Sequence, residues 1–294
     1  MKIRKSGSRV FDVINYLLLT ILMIVTLYPF WHVVMASFSK PVEVMKYSGP
    51  IVLPLGIDFS SYRMVFNNPN ITFSFRNSVL IVVFGTLINV AMTILASYAF
   101  SRKNVYITKK IMPFVIFTMY FSGGMIPSFL LINNWLHLGD TYWSVWLPGA
   151  ISTYNMIILR TGFAALPDSL MESAKIDGAN DFFIMLRIAI PLALPSIAVI
   201  VLYYAVGHWN SWFNAMLYLK TRSKFPLSII LREILISNST ETMTAASGAS
   251  GDTAPLAETI KFATTVVAIV PILIVYPFLQ KYFVKGMMIG AVKG

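Results

Sequence analysis

Six windows of this chain, at about 11–36, 77–100, 111–132, 142–164, 191–217 and 260–284, run for membrane-spanning lengths with almost no charge. A helix needs about 20 apolar residues to cross a bilayer. Inside hydrocarbon every backbone N–H and C=O must find its partner within the protein. Composition agrees with such a solvent: 57% of residues are hydrophobic and 12% charged, whereas soluble domains carry about 25% charged residues. A soluble fold of this length has no core large enough to hide that much apolar surface. The predicted fold class is all-α integral membrane, with six transmembrane helices in one transmembrane domain over residues 1–294.

The first window follows Lys2, Arg4, Lys5 and Arg9. Its apolar run exceeds the roughly 7–15 residues of a signal peptide, and no small-x-small cleavage site follows, so it is expected to remain as an anchor. Lys and Arg then set the orientation, because they gather in cytoplasmic loops. With the N-terminus inside, the inner segments hold fourteen of the 23 Lys and Arg, among them Arg102, Lys103, Lys109, Lys110, Arg160, Lys175, Arg187, Lys281 and Lys285. The others spread over longer outer loops at about 37–76, 133–141 and 218–259. Both termini are expected to be cytoplasmic. Residues 37–76, rich in prolines and aromatics, read as an ordered outer loop, and 237–254 (SNSTETMTAASGASGDTA) as a flexible or partner-ordered one.

The net charge of +11 thus reports topology. It does not cluster on a polar face with interleaved aromatics, so no nucleic-acid partner is expected. The lack of cysteine excludes disulfides, thiolate metal sites and a cysteine nucleophile. No G-x-x-x-x-G-K-[ST], H-E-x-x-H or G-x-S-x-G occurs, and His32, His137 and His208 stand alone. No Asp or Glu lies in the middle of a window, where ion-coupled carriers keep theirs. The chain is expected to carry no catalytic residue, metal or cofactor of its own. If it moves a solute, a partner supplies the energy.

One stretch breaks the apolar pattern. Around MESAKIDGAND (171–181) sit Asp168, Glu172, Asp177 and Asp181, a third of the chain's 12 acids, in a cytoplasmic loop at about 165–190. Ser169 followed by Glu172 reads as a capping box opening a short helix. Glu172 and Lys175 can pair at i, i+3, Gly178 suits a left-handed C-terminal turn, and Asn180 or Asp181 can cap a second helix running to Pro191. Two readings stay open: a solvated connector, or a docking helix whose small residues let another protein approach while its acid gives a directional contact.

The spacing of Glu172, Ala174, Gly178, Ile188 and Pro191 (E-x-A-x3-G-x9-I-x-x-P) resembles the EAA loop of ABC-importer permeases, with Ser173 and Ile190 where Ala and Leu are usual. The segment GHWNSWFNAMLY (207–218) and the ending YFVKGMMIGAVKG (282–294) look like the maltose-type carbohydrate-uptake branch of that family, on its MalG-like side. The resemblance covers nearly the whole chain. It implies a multi-pass permease subunit of the bacterial cytoplasmic membrane, forming half of an oligosaccharide pathway beside a second homologous permease. A separate ABC ATPase dimer, holding ATP and Mg, would be contacted by Glu172, Ser173, Ala174, Gly178, Ile188, Pro191 and the tail 285–294. An extracytoplasmic solute-binding protein would meet the loop at about 220–258. Close relatives take up uronic-acid sugars, which points to an acidic cargo such as alginate.

For the cargo itself the fifth window offers Tyr203, His208, Trp209, Asn210, Trp212 and Asn214. Residues 203, 207, 210 and 214 share one helical face, a polar stripe that lipid does not welcome. It can line the pathway, or it can join this helix to a neighbour or sister subunit. Lys220, Arg222 and Lys224 can attract an acidic sugar or be ordinary loop charges. A non-sugar importer and an ATP-independent secondary carrier remain as alternatives.

Overall fold

The computed structural model of the chain describes residues 6–102, 105–236 and 254–291, with side chains within 10–102, 105–236 and 256–277. Every regular element among them is helical. The chain divides into two compact units, Met1–Pro69 with Glu233–Ile269, and Asn70–Arg232 with Val270–Gly294.

In the first unit, α1 (Ser6–Ser37) is apolar on all sides, and none of its most apolar window is buried within the chain. Such a helix has no inward stripe and suits lipid or another apolar surface. The expected outer loop after it is ordered. It contains α2 (Pro41–Lys46) and α3 (Ser60–Asn67). Side chains satisfy its backbone: Ser39 Oγ accepts from Leu55 N at 2.9 Å, and Trp31 Nε1 donates to the Val52 carbonyl at 2.8 Å. Ser61 Oγ donates to Thr259 Oγ1 at 2.7 Å, on the final helix (Ala254–Ala291). Ala36, Val44 and Ile51 form a small core with Phe262.

The second unit is built on α4 (Pro69–Ser101), which buries its polar and small residues: Ser74, Asn77, Ser78, Gly85, Asn89, Thr93 and Ser97. With the buried Ile81 between the first two, Asn77, Gly85, Asn89, Thr93 and Ser97 recur in steps of four residues, so they form one ridge along the helix. Where the surroundings are apolar, the polar face turns inward to find partners. Ser97 donates to the Met156 carbonyl at 3.0 Å, and Thr93 shares a 2.7 Å bond with the Tyr204 hydroxyl.

Three of the six expected windows are not single helices. The window 111–132 divides into α5 (Tyr106–Tyr120) and α6 (Met125–Leu130, running on as a π turn to Trp135), bent by 108°. Gly124, with φ +88°, supplies a backbone that L side chains rarely adopt. The window 142–164 contains α7 (Trp143–Trp146) and, beyond Pro148–Gly149, α8 (Thr153–Ala164). The 12 residues of α8 extend about 18 Å, short of the roughly 30 Å hydrocarbon core.

The loop at about 165–190 holds α9 (Asp168–Ile176) and α10 (Asp181–Ile184), which runs on through a π turn at Met185–Ala189 into α11 (Ile190–Leu192). The window 191–217 then bends by 84° between α11 and α12 (Leu194–Trp209) and breaks again before α13 (Trp212–Tyr218). Pro191 and Pro195 each remove an N–H from the helical ladder around the first bend. At the second break Ser211 Oγ bonds back to the His208 carbonyl at 2.7 Å, the local competition that disfavours a continuing helix. Among the described residues, three helices are long and apolar enough to cross a membrane alone, and up to five crossings result if each bent pair is one.

Candidate functional site

α9 starts two residues earlier than the capping-box reading expects. Pro167, at φ −60° and ψ 126°, precedes it as the N-cap, and no side chain caps it. Ser169 lies inside the first turn, so the capping box does not form. Asp168 opens the helix instead, an acid at the positive end of the helix dipole. The Glu172–Lys175 pair is likewise replaced: Lys175 Nζ reaches across the turn to Asp181 Oδ1 at 3.1 Å. An acid brought round by the turn competes successfully with one on the same helix.

The turn itself forms as its sequence predicts. Gly178 has φ +82°, its N–H bonds the Lys175 carbonyl at 3.0 Å, and the Ala179 N–H bonds that of Ala174 at 2.9 Å. These two bonds are the paired closure of a helix on a left-handed glycine. Asn180 Oδ1 then accepts from Phe183 N at 2.7 Å and caps α10. The hairpin is seated by Met171, buried in a core with Tyr98, Leu159, Phe163, Ile184, Met185 and Ile200. Arg102, counted above only as a topological charge, lies 4.1 Å over the Tyr98 ring and donates to the Met171 thioether at 3.6 Å.

What the hairpin turns outward is mixed in character. Glu172, Ser173, Asp177 and Gly178 are exposed, and Ile176 is 85% exposed. Ala174, Gly178 and Ile188 line one cleft with Asn180 and Phe183, and Pro191 is exposed on α11. A second groove collects Arg102, Asp168, Met171, Glu172, Lys175 and Asp181.

The fifth-window residues separate. Tyr203, Gly207, Asn210 and Asn214 are all exposed, but the break after α12 places Asn214 on α13, so the stripe is not the face of one straight helix. Tyr203 pairs with Tyr154 at 6.2 Å between centroids. His208 turns the other way, toward α4, with Nε2 2.7 Å from Asn89 Oδ1. Gly85 makes that approach possible: a Cβ there would meet His208 Nε2 at 2.6 Å. Trp209 packs edge-on against Phe75 at 5.9 Å and lines an apolar cleft with Val79, Val206, Pro271 and Val275. Trp212 carries the guanidinium of Arg232, on α14 (Leu227–Ile236), at 4.7 Å from its ring centroid.

The basic cluster after α13 is not three equivalent charges. Lys224 Nζ lies 2.9 Å from Asp140 Oδ2. Asp140 also accepts from the Lys220 and Thr221 N–H groups at 2.9 and 3.0 Å and from the Thr221 hydroxyl at 2.6 Å. The Thr221 hydroxyl bond, followed by its backbone bond, holds the Asp140 carboxyl well below the usual carboxylate range; burial opposes them, and the weaker bonds to Lys224 and Lys220 add to the lowering. The loop 237–253 and residues 292–294 lie outside the described residues. No group of three or more metal-ligating side chains occurs among the described residues.

Residues 90–289 match the family described as "Binding-protein-dependent transport system inner membrane component". The chain is 42% identical over 287 residues to the polygalacturonan/rhamnogalacturonan transport system permease protein YtcP of Bacillus subtilis, covering 98% of this chain and 99% of that protein. It is 28% identical over 284 residues to the arabinooligosaccharides transport system permease protein AraQ of the same organism, covering 93% and 92%. It is also similar to a solved chain of a bacterial ABC transporter involved in the import of the acidic polysaccharide alginate. There the TM-score is 0.87 and the identity 32%, over 96% of this chain and 100% of that one.

Proposed function

This chain belongs to the binding-protein-dependent transport system inner membrane components, and from that premise we propose that it forms half of the pathway of an ABC importer for acidic oligosaccharides. It is a transport subunit of the inner membrane. The energy comes from a separate ATPase dimer, which binds the ATP and Mg. A second, homologous permease forms the other half, and an extracytoplasmic binding protein delivers cargo to the loop at about 220–258. Six crossings with both termini cytoplasmic complete the topology: each bent pair counts once, and Trp143–Ala164 makes the sixth. The Lys and Arg distribution supports that orientation.

The observation that carries the ATP-driven reading is the hairpin of α9 and α10. It is anchored from below by Met171 and closed on itself by the Gly178 turn. Outward it presents Glu172, Ser173 and Ile176, with a cleft at Ala174, Gly178 and Ile188. A connector that touches nothing gains nothing from an isoleucine held in water. A rigid hairpin transmits a push from the ATPase to the helices it is seated on, and the tail 285–294 is a second contact for that partner. ATP-driven closure of the dimer rocks the permease pair open to the outside, and hydrolysis returns it.

The acidic-sugar class rests on the relatives: one is named for polygalacturonan and rhamnogalacturonan and one structure for alginate import. Transport in proteoliposomes tests the coupling. Glu172→Ala and Gly178→Val, the latter forcing a side chain into a left-handed backbone at about 1–2 kcal/mol, are expected to leave the complex assembled and hydrolysing ATP. Sugar imported per ATP should fall about 2- to 30-fold, the effect of a coupling change of about 0.5–2 kcal/mol. Wild-type stoichiometry in both variants would remove the hairpin from the mechanism.

A further inference from the structure

Arg232 sits in α14 (Leu227–Ile236, LSIILREILI), whose other charged residue is the adjacent Glu233. Its surroundings differ from those of its neighbour in charge, Lys224, which is neutralised by Asp140. The contacts of Arg232 among the described residues are the face of Trp212, 4.7 Å from its guanidinium carbon, and the Met216 thioether at 3.7 Å from Nη1. No carboxylate among the described residues lies within ion-pair distance of it. A ring face accepts no directional hydrogen bond from the fork, and a thioether is a weak acceptor. Most of the five N–H donors therefore keep their capacity while the aromatic face holds the group in place.

The platform beneath is open. Trp212 is 37% and Phe213 43% exposed, and their rings stand nearly perpendicular, 5.5 Å apart. A pyranose presents an apolar C–H face to such a ring, and a uronic acid adds a planar carboxylate at its edge. A guanidinium fork matches a carboxylate with two parallel bonds. An arginine that only anchored a helix end would have no need of an exposed tryptophan beside it.

We propose that Arg232, held on the Trp212 face, reads the carboxylate of an acidic sugar as it enters the pathway, and so selects uronide over neutral cargo. The inference rests on the acidic-oligosaccharide reading above and assigns the selecting group within it. Proteoliposomes holding the whole importer supply the test, with a short oligogalacturonide delivered on a saturating amount of loaded binding protein. Arg232→Gln is expected to slow uptake about tenfold, as loss of a charge-assisted pair does, with pull-down of the binding protein unchanged. Arg232→Lys, keeping a point charge without the fork, should recover part of the rate, and Trp212→Ala should also slow uptake. Uptake at the wild-type rate in Arg232→Gln would overturn the assignment. So would loss of binding-protein pull-down in step with uptake, which would make Arg232 a docking residue for an acid on that protein. A wild-type importer that carries a neutral oligosaccharide and no uronide would instead overturn the acidic-cargo reading, and the inference with it.

Discussion

Asp140 shows how much a single residue can organise across the sequence. Its backbone is left-handed at φ +54°, a region that Asp enters more readily than most residues other than glycine, and it is held by donors from Lys220, Thr221 and Lys224. Since its carboxyl is held below the ordinary range, the sign of its contribution follows. The clamp stabilises fully above the unfolded carboxylate pKa of about 3.9 and weakens as pH falls below it. Asp140→Asn is expected to speed hydrogen exchange at the Lys220 and Thr221 amides about tenfold or more, the effect of losing hydrogen bonds to a charged group. Wild-type exchange in that variant would mean the clamp is idle. No spacing rule links Asp140 to Lys224, 84 positions away, so the basic cluster reads from sequence as a set of available charges. Gly178 and Asn180 were legible because their partners lie within a few residues of them, whereas Ser169 and Glu172 were not. The proline before them sets the helix start, and Asp181 wins Lys175.

At the scale of elements, counting apolar residues located the membrane segments but not their shape. Gly124, Pro191, Pro195 and Ser211 each stand at a break, yet hydropathy is blind to a missing N–H or a left-handed turn. The inward polar ridge of α4 was overlooked for a related reason: a window rich in Val, Ile and Leu hides a four-residue repeat of small polar ones. That ridge makes the helix contacts specific. Gly85 lets His208 reach Asn89, and Gly85→Ala places a Cβ 2.6 Å from the imidazole. The variant is expected to lose about 1–3 kcal/mol, the cost of overpacking a filled site, seen as a lower thermal midpoint in detergent. His208→Ala in the same background should recover part of the loss. An unchanged midpoint in Gly85→Ala would mean that these helices do not meet closely there.

For the whole molecule, the apolar excess implied a membrane protein, and the lack of any hydrolytic or ion-coupling motif meant that, if it moves a solute, a partner supplies the energy. The EAA-like spacing named the kind of driver, and the family match over residues 90–289 bears out the permease assignment. What one chain's sequence conceals is the surface it shares with others. The uncovered α1, the outward hairpin and the exposed fifth-window face acquire their meaning from partners. The central claim is that this chain is the membrane part of a multi-subunit, ATP-driven importer. Gentle detergent purification of the intact chain from its native membranes, with mass spectrometry of the proteins that accompany it, tests this most directly. The prediction is a second multi-span permease, an ABC ATPase and a solute-binding protein that retains an acidic oligosaccharide. Recovery of the intact chain alone would contradict it.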